Sequence, residues 1–111
     1  MNTHRQQLPM AIADCALDPV ALAEQADRYR RLATAAHAIE RRADRVLVTF
    51  EPTVDHELLN ETIVTERRCC PFFTLDYDTS ERRLSISIGD PLRRDALDAV
   101  LSAIRVGASA R

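Results

Sequence analysis

The stretch VLVTFEPTVDHELLNETIVTERRCCPFFTLDYDTSERRLSISI, residues 46–88, decides the fold. Val46, Val48 and Phe50 alternate with Leu47, Thr49 and Glu51, the period-two pattern of a half-buried strand, and Pro52 ends it. Thr53 or Asp55 then caps a helix in which Leu58, Leu59, Thr62, Ile63 and Glu66 recur at helical spacing. That helix must stop at about Cys70, because Pro71 disfavours helical geometry in the residue before it. Phe73, Leu75 and Tyr77 mark a second strand, Asp78 to Glu81 a turn, and Leu84, Ile86 and Ile88 a third strand. A strand, a helix and a returning strand form a crossover unit with parallel strands, to which the following hairpin adds an antiparallel one.

Outward from this centre the pattern stays helical. Asp18-Pro19 is a cap followed by proline at the first helical position, and Leu22, Ala26, Tyr29, Leu32 or Ala33, Ala36 and Ile39 continue a helix to about Arg41. Asp90-Pro91 repeats the signal before Leu92, Ala96, Val100 and Ile104, with Gly107 as the expected stop. The reading is α+β in the order α-β-α-β-β-α, with helices packed on a small three-stranded mixed sheet. It is a ferredoxin-like remnant that lacks its last strand. Ile63 and Leu75 are expected in its core. Residues 1–14 read as a mobile N-terminal arm, 15–107 as one domain and 108–111 as a tail. A free edge of so short a sheet could pair with a second copy as a homodimer.

Composition narrows the function classes. The chain has 111 residues, 46% of them hydrophobic and 29% charged, an ordinary balance for one compact domain. A formal charge of −2 is a poor match for a nucleic-acid backbone, so no nucleic-acid partner is expected. No apolar run reaches the ~18–20 residues of a membrane span, so no membrane partner is expected either. The start lacks the grammar of a secretory signal, which predicts a cytoplasmic protein whose thiols stay reduced. Two glycines are too few for a phosphate-cradling loop.

The three cysteines, Cys15, Cys69 and Cys70, carry the chemistry. Adjacent thiols are separated by only about 3.8 Å between α-carbons, too little for an ordinary disulfide. Reduced, they form a claw for a soft ion, and Cys15, just before the first helix, could complete a trigonal site for Hg(II), As(III) or Cu(I). Zinc suits less well, since its usual grammar spaces paired cysteines two to four residues apart and adds two more ligands. Glu66 stands one turn before the pair, where it could take a proton from a thiol, supply an oxygen ligand, or pair with a surface arginine. No obligatory cofactor is implied. His4, His37 and His56 have no ligand spacing to the cysteines and are expected to be exposed.

Two other classes compete. A thiol enzyme, a reductase or lyase acting on a metal or organometal compound, would need a lowered thiol pKa. The end of a helix opposes that through its dipole, unless Arg67 and Arg68 turn inward, so an enzyme is the less favoured reading. An interaction module would use the cysteines as small buried hydrophobes.

The segments Cys15 to Pro19, Arg28 to Leu32 and Glu66 to Leu75 resemble a group of small, mostly uncharacterised bacterial proteins with an E-x-x-C-C-x-F-F motif. Similar segments accompany heavy-metal-responsive regulators of the mercury-resistance type. The resemblance implies that Cys15, Cys69 and Cys70 act together in a soft-metal setting. This sequence shows no helix-turn-helix segment, so a regulator's DNA-reading role is not implied.

Overall fold

The computed structural model describes residues 18–109. Helix α1 spans Pro19–Ala33, strands β1 and β2 span Ala36–Arg42 and Arg45–Phe50, and helix α2 spans His56–Cys69. Strands β3 and β4 follow at Phe73–Asp78 and Arg83–Ile88, then a 3-10 turn at Pro91–Arg93 and helix α3 at Arg94–Ser109. The predicted caps form. Asp18 accepts a hydrogen bond from the Ala21 amide at 2.8 Å, Asp55 from Leu58 at 3.0 Å and Asp90 from Leu92 at 3.0 Å.

The sheet has four strands among the described residues, not three, in the order β1-β2-β4-β3, and every neighbouring pair is antiparallel. β2 and β3 do run parallel, as the crossover requires, but β4 lies between them. This is the split βαβ arrangement. The outer place beside β2, left empty in the sequence reading, is filled by β1 from the N-terminal side.

β1 occupies residues expected to be helical. α1 ends because Thr34 turns its hydroxyl back to the Arg31 carbonyl at 2.7 Å, and Glu51 N–H then captures the Ala35 carbonyl at 2.7 Å. Inside β1 the pairing slips between Ala36 and Ala38, so His37 is an extra residue in a β-bulge. A bulge shifts the alternation by one. It places the core-facing Ala36 and Ile39 three residues apart, which imitates helical spacing.

Register assigns one face of the sheet to the core. Val46, Val48 and Phe50 pair with or flank Leu84, Ile86 and Ile88, which in turn meet Phe73 and Leu75. All eight are buried, and so are Ile63 of α2 and Leu97, Val100 and Ile104 of α3. The opposite face carries Glu40, Arg42, Arg83 and Asp76 beside half-buried Leu47, Thr49, Ser85 and Ser87, so all three helices lie on one side. α3 runs through Gly107 to Ser109, and the glycine is no stop. A Cβ there would lie only 2.7 Å from the Arg30 Cα, so α1 crosses α3 at a point where only hydrogen fits.

Both sheet edges are partly blocked. On β3 the Arg67 guanidinium donates to the outward Leu75 carbonyl at 2.7 Å, and β1 carries the bulge and the charged Glu40 and Arg42. No helix among the described residues is long and apolar enough to cross a membrane.

Candidate thiol site

α2 delivers both thiols to one end of the helical layer. Cys69 is the last helical residue, one turn beyond Glu66 on the buried stripe that also holds Thr62. Cys70 is the cap: its N–H still reaches the Glu66 carbonyl at 2.8 Å, while its backbone opens to φ −126° and ψ 76° ahead of Pro71. Its carbonyl then accepts from the Phe73 amide at 3.0 Å, so the turn between α2 and β3 is pinned on both sides. Each cysteine is 4% exposed, and both are reduced.

Glu66 does not pair with an arginine on the surface. It is 4% exposed, and its Oε1 accepts from Gln25 Nε2 at 2.8 Å and from Tyr29 Oη at 3.0 Å. The same Gln25 amide donates to the Thr62 carbonyl at 3.0 Å. Its carbonyl oxygen accepts from Arg28 Nη1 at 2.9 Å, which fixes which end of the amide faces Glu66. Arg28 also lies 3.5 Å from the exposed Glu61 carboxylate. A hydrogen-bonded chain therefore runs from the interior to the surface across the α1–α2 contact.

Gln25 and Tyr29 were missed in the sequence reading. The signal was present: both fall on the apolar stripe of α1, as Glu66 falls on that of α2. Polar groups on two buried stripes must find partners, because an unpaired buried donor or acceptor costs about 1–3 kcal/mol.

Tyr29 has its hydroxyl pKa pushed well above the usual value, first by burial, then by the adjacent Glu66 charge and hydrogen bond, with a further contribution from Cys70. The hydroxyl thus stands in the field of both the carboxylate and the Cys70 thiol. Because the folded chain holds this proton more tightly than the unfolded chain, the contribution is intact below about pH 10, the ordinary tyrosine value, and is lost as pH rises above it. Tyr77 is shifted the same way, mainly by burial, and its hydroxyl finds no hydrogen-bond partner among the described residues. We therefore expect Tyr29→Phe to remove part, not all, of the alkaline fall in stability. Urea midpoints of wild type and variant between pH 8 and 11.5 check this, and parallel curves would contradict it.

The remaining candidates separate from the thiols. Cys15 and His4 lie outside the described residues. His37 is on β1, not in a helix, and sits 3.2 Å from Glu51; His56 stacks edge-on to Tyr77 at 6.3 Å. Both histidines are exposed, as expected. Among the described residues no three histidine, cysteine or carboxylate groups gather closely enough to hold a metal. Arg67 spends its side chain on Leu75 and Arg68 is exposed, so neither arginine turns inward to lower a thiol pKa.

No protein-family model, curated protein or solved structure matches the chain. The site is therefore read from its own geometry.

Proposed function

We propose that this chain holds a soft, thiophilic ion through Cys69 and Cys70, with Cys15 as the third donor, and serves metal sensing, carriage or resistance in the cytoplasm. Hg(II), As(III) and Cu(I) are the favoured ions, and zinc is less suited. The observation that carries the reading is a pair of adjacent thiols withdrawn from water at one helix end, one turn beyond a buried carboxylate held by Tyr29 and Gln25. A soft ion displaces the thiol protons itself, so the unfavourable helix end, which counts against a thiolate nucleophile, matters less to ion binding.

A second reading has its own support. Both thiols belong to the contiguous buried core, as packing residues would. The two readings differ in what Hg(II) does to the reduced protein. Ion binding predicts one Hg(II) per chain, release of protons, loss of reactive thiols and a raised melting temperature. It also predicts affinity reduced at least about a hundredfold in Cys69→Ser and Cys70→Ser, because soft ions strongly prefer thiolate to hydroxyl. Packing predicts destabilised serine variants and thiols that stay reactive to a thiol reagent after Hg(II) is added to the folded chain. Cys15→Ser binding as tightly as wild type would reduce the site to the adjacent pair.

A further inference from the structure

Only Pro71 and Phe72 stand between Cys70 and Phe73, the first residue of β3. Pro71 is exposed and Phe72 half-buried, so the Phe72 ring is what packs this connection onto the fold. Phe73 is fixed, being buried and paired with Ile88 of β4. Phe72 lies edge-on to it, with ring centroids 4.8 Å apart. The face of the Phe72 ring is covered from a different element, by the Arg93 guanidinium at 4.7 Å from the centroid. Arg93 closes the 3-10 turn Pro91–Arg93, which Asp90 holds twice. The Asp90 carboxylate accepts from the Leu92 amide at 3.0 Å and its carbonyl from the Arg93 amide at 2.9 Å. Behind Arg93, α3 is anchored by the buried Ala96 and Leu97. The Arg93 side of the contact therefore belongs to a fixed element, and the Phe72 side to a two-residue connection.

We propose that the Phe72–Arg93 contact is a latch that holds the turn between α2 and β3 shut and so sets how fast the thiols of Cys69 and Cys70 become accessible. For its purpose the inference rests on the soft-ion reading above, since it names what regulates entry to that same site. Each thiol is only 4% exposed, so the turn must open before anything from solution can reach it. Opening has to break the bond from the Phe73 amide to the Cys70 carbonyl, 3.0 Å long, and to lift Phe72 away from Arg93. β3 can stay in place meanwhile, because its pairing with β4 runs from Phe73 to Asp78 and Arg67 holds the Leu75 carbonyl. The movement is therefore confined to the end of α2 and the two residues after it.

The test is alkylation of the reduced protein by iodoacetamide, read at Cys69 and Cys70 by peptide mass spectrometry. The thiolate sulfur displaces iodide from carbon, and the thiol proton passes to solvent. The reagent is neutral, so its approach does not depend on the charge of Arg93. Arg93→Gln should speed alkylation about three- to tenfold, the range expected for a cation over a half-buried ring. Loss of a nearby cation would by itself disfavour the thiolate and slow the reaction, so a faster rate reports opening. Phe72→Leu should speed it by a similar factor, and Arg93→Gln should then add nothing in the Phe72→Leu background, because the two residues form one contact. The wild-type rate should be nearly flat in low urea, since opening a turn exposes little surface. Rates that multiply in the double variant, or a wild-type rate as steep in urea as global unfolding, would overturn the latch. Hg(II) uptake by the same variants, accelerated in the same ratio, would support the latch and the soft-ion reading together. Thiols that alkylate faster once unlatched but never take up Hg(II) would leave the latch standing and overturn the soft-ion reading.

Discussion

Glu66→Ala should destabilise the protein by about 2–6 kcal/mol, since it strands two buried donors worth about 1–3 kcal/mol each. The donors are the Tyr29 hydroxyl and the Gln25 amide, both aimed at Glu66 Oε1 from α1, and both residues are almost fully buried. Neither can swing to water without opening the α1–α2 contact, and Gln25 is also held by Arg28 and by the Thr62 carbonyl. Glu66→Gln is the discriminating companion. It keeps a carbonyl oxygen for the two donors and removes the charge, so it should cost clearly less than alanine, with the loss of charge assistance as the remainder. Urea denaturation at pH 7 measures both. A loss below about 1 kcal/mol in Glu66→Ala would mean that the network does not hold the helices together, since that is below the cost of one stranded donor.

Gly107→Ala should cost about 3 kcal/mol or more, at or beyond the upper end of ordinary overpacking. The usual remedy for an added methyl is rotation of a neighbouring side chain, and here there is none to rotate. The new Cβ would fall inside contact distance of the Arg30 carbonyl oxygen, 2.7 Å from its carbon and 2.7 Å from the Arg30 Cα. The whole of α1 would have to move off α3, disturbing Tyr29, Leu32 and Ala33 on one side and Ala103 and Ile104 on the other. In helix-propensity terms alone the same substitution favours the helix by about 1 kcal/mol. The sign of the measured change therefore reports whether the close crossing is real. A stabilised variant would contradict it.

Ile63 and Leu75 occupy the core positions their periodicity predicts, Asp18 caps α1 as expected, Asp55 rather than Thr53 caps α2, and Asp90 caps the 3-10 turn that leads into α3. These features are local, so sequence alone carries them. β1 was illegible for two local reasons that reinforced each other. Ala33, Ala35, Ala36 and Ala38 favour a helix by propensity, and the bulge at His37 gave the strand a helical spacing. The turn that joins β1 to β2, at Ala43 and Asp44, carries none of the Asn-Gly or Asp-Gly signal that betrays a two-residue hairpin. With β1 hidden, the sheet lost a strand and β2 lost an antiparallel neighbour.

The thiol pair was legible because neighbouring cysteines are conspicuous. Its surroundings were not. Gln25 and Tyr29 lie 41 and 37 residues from Glu66, and their meeting depends on how α1 seats against α2. The Tyr29 hydroxyl, bound to Glu66 and shifted in part by Cys70, links this network to the neighbourhood of the proposed site. A soft ion bound there would be shielded from competing water and held by a turn fixed at both ends.

The central claim, that the two buried thiols are ion ligands rather than packing residues, is met most directly by X-ray absorption of the protein loaded with one Hg(II) per chain. The account predicts a first coordination shell made of sulfur alone, unchanged by moderate excess of a monothiol, and replaced by oxygen or monothiol ligands in the Cys69→Ser/Cys70→Ser variant. A wild-type spectrum identical to that of the double variant would contradict it and leave Cys69 and Cys70 as part of the hydrophobic core.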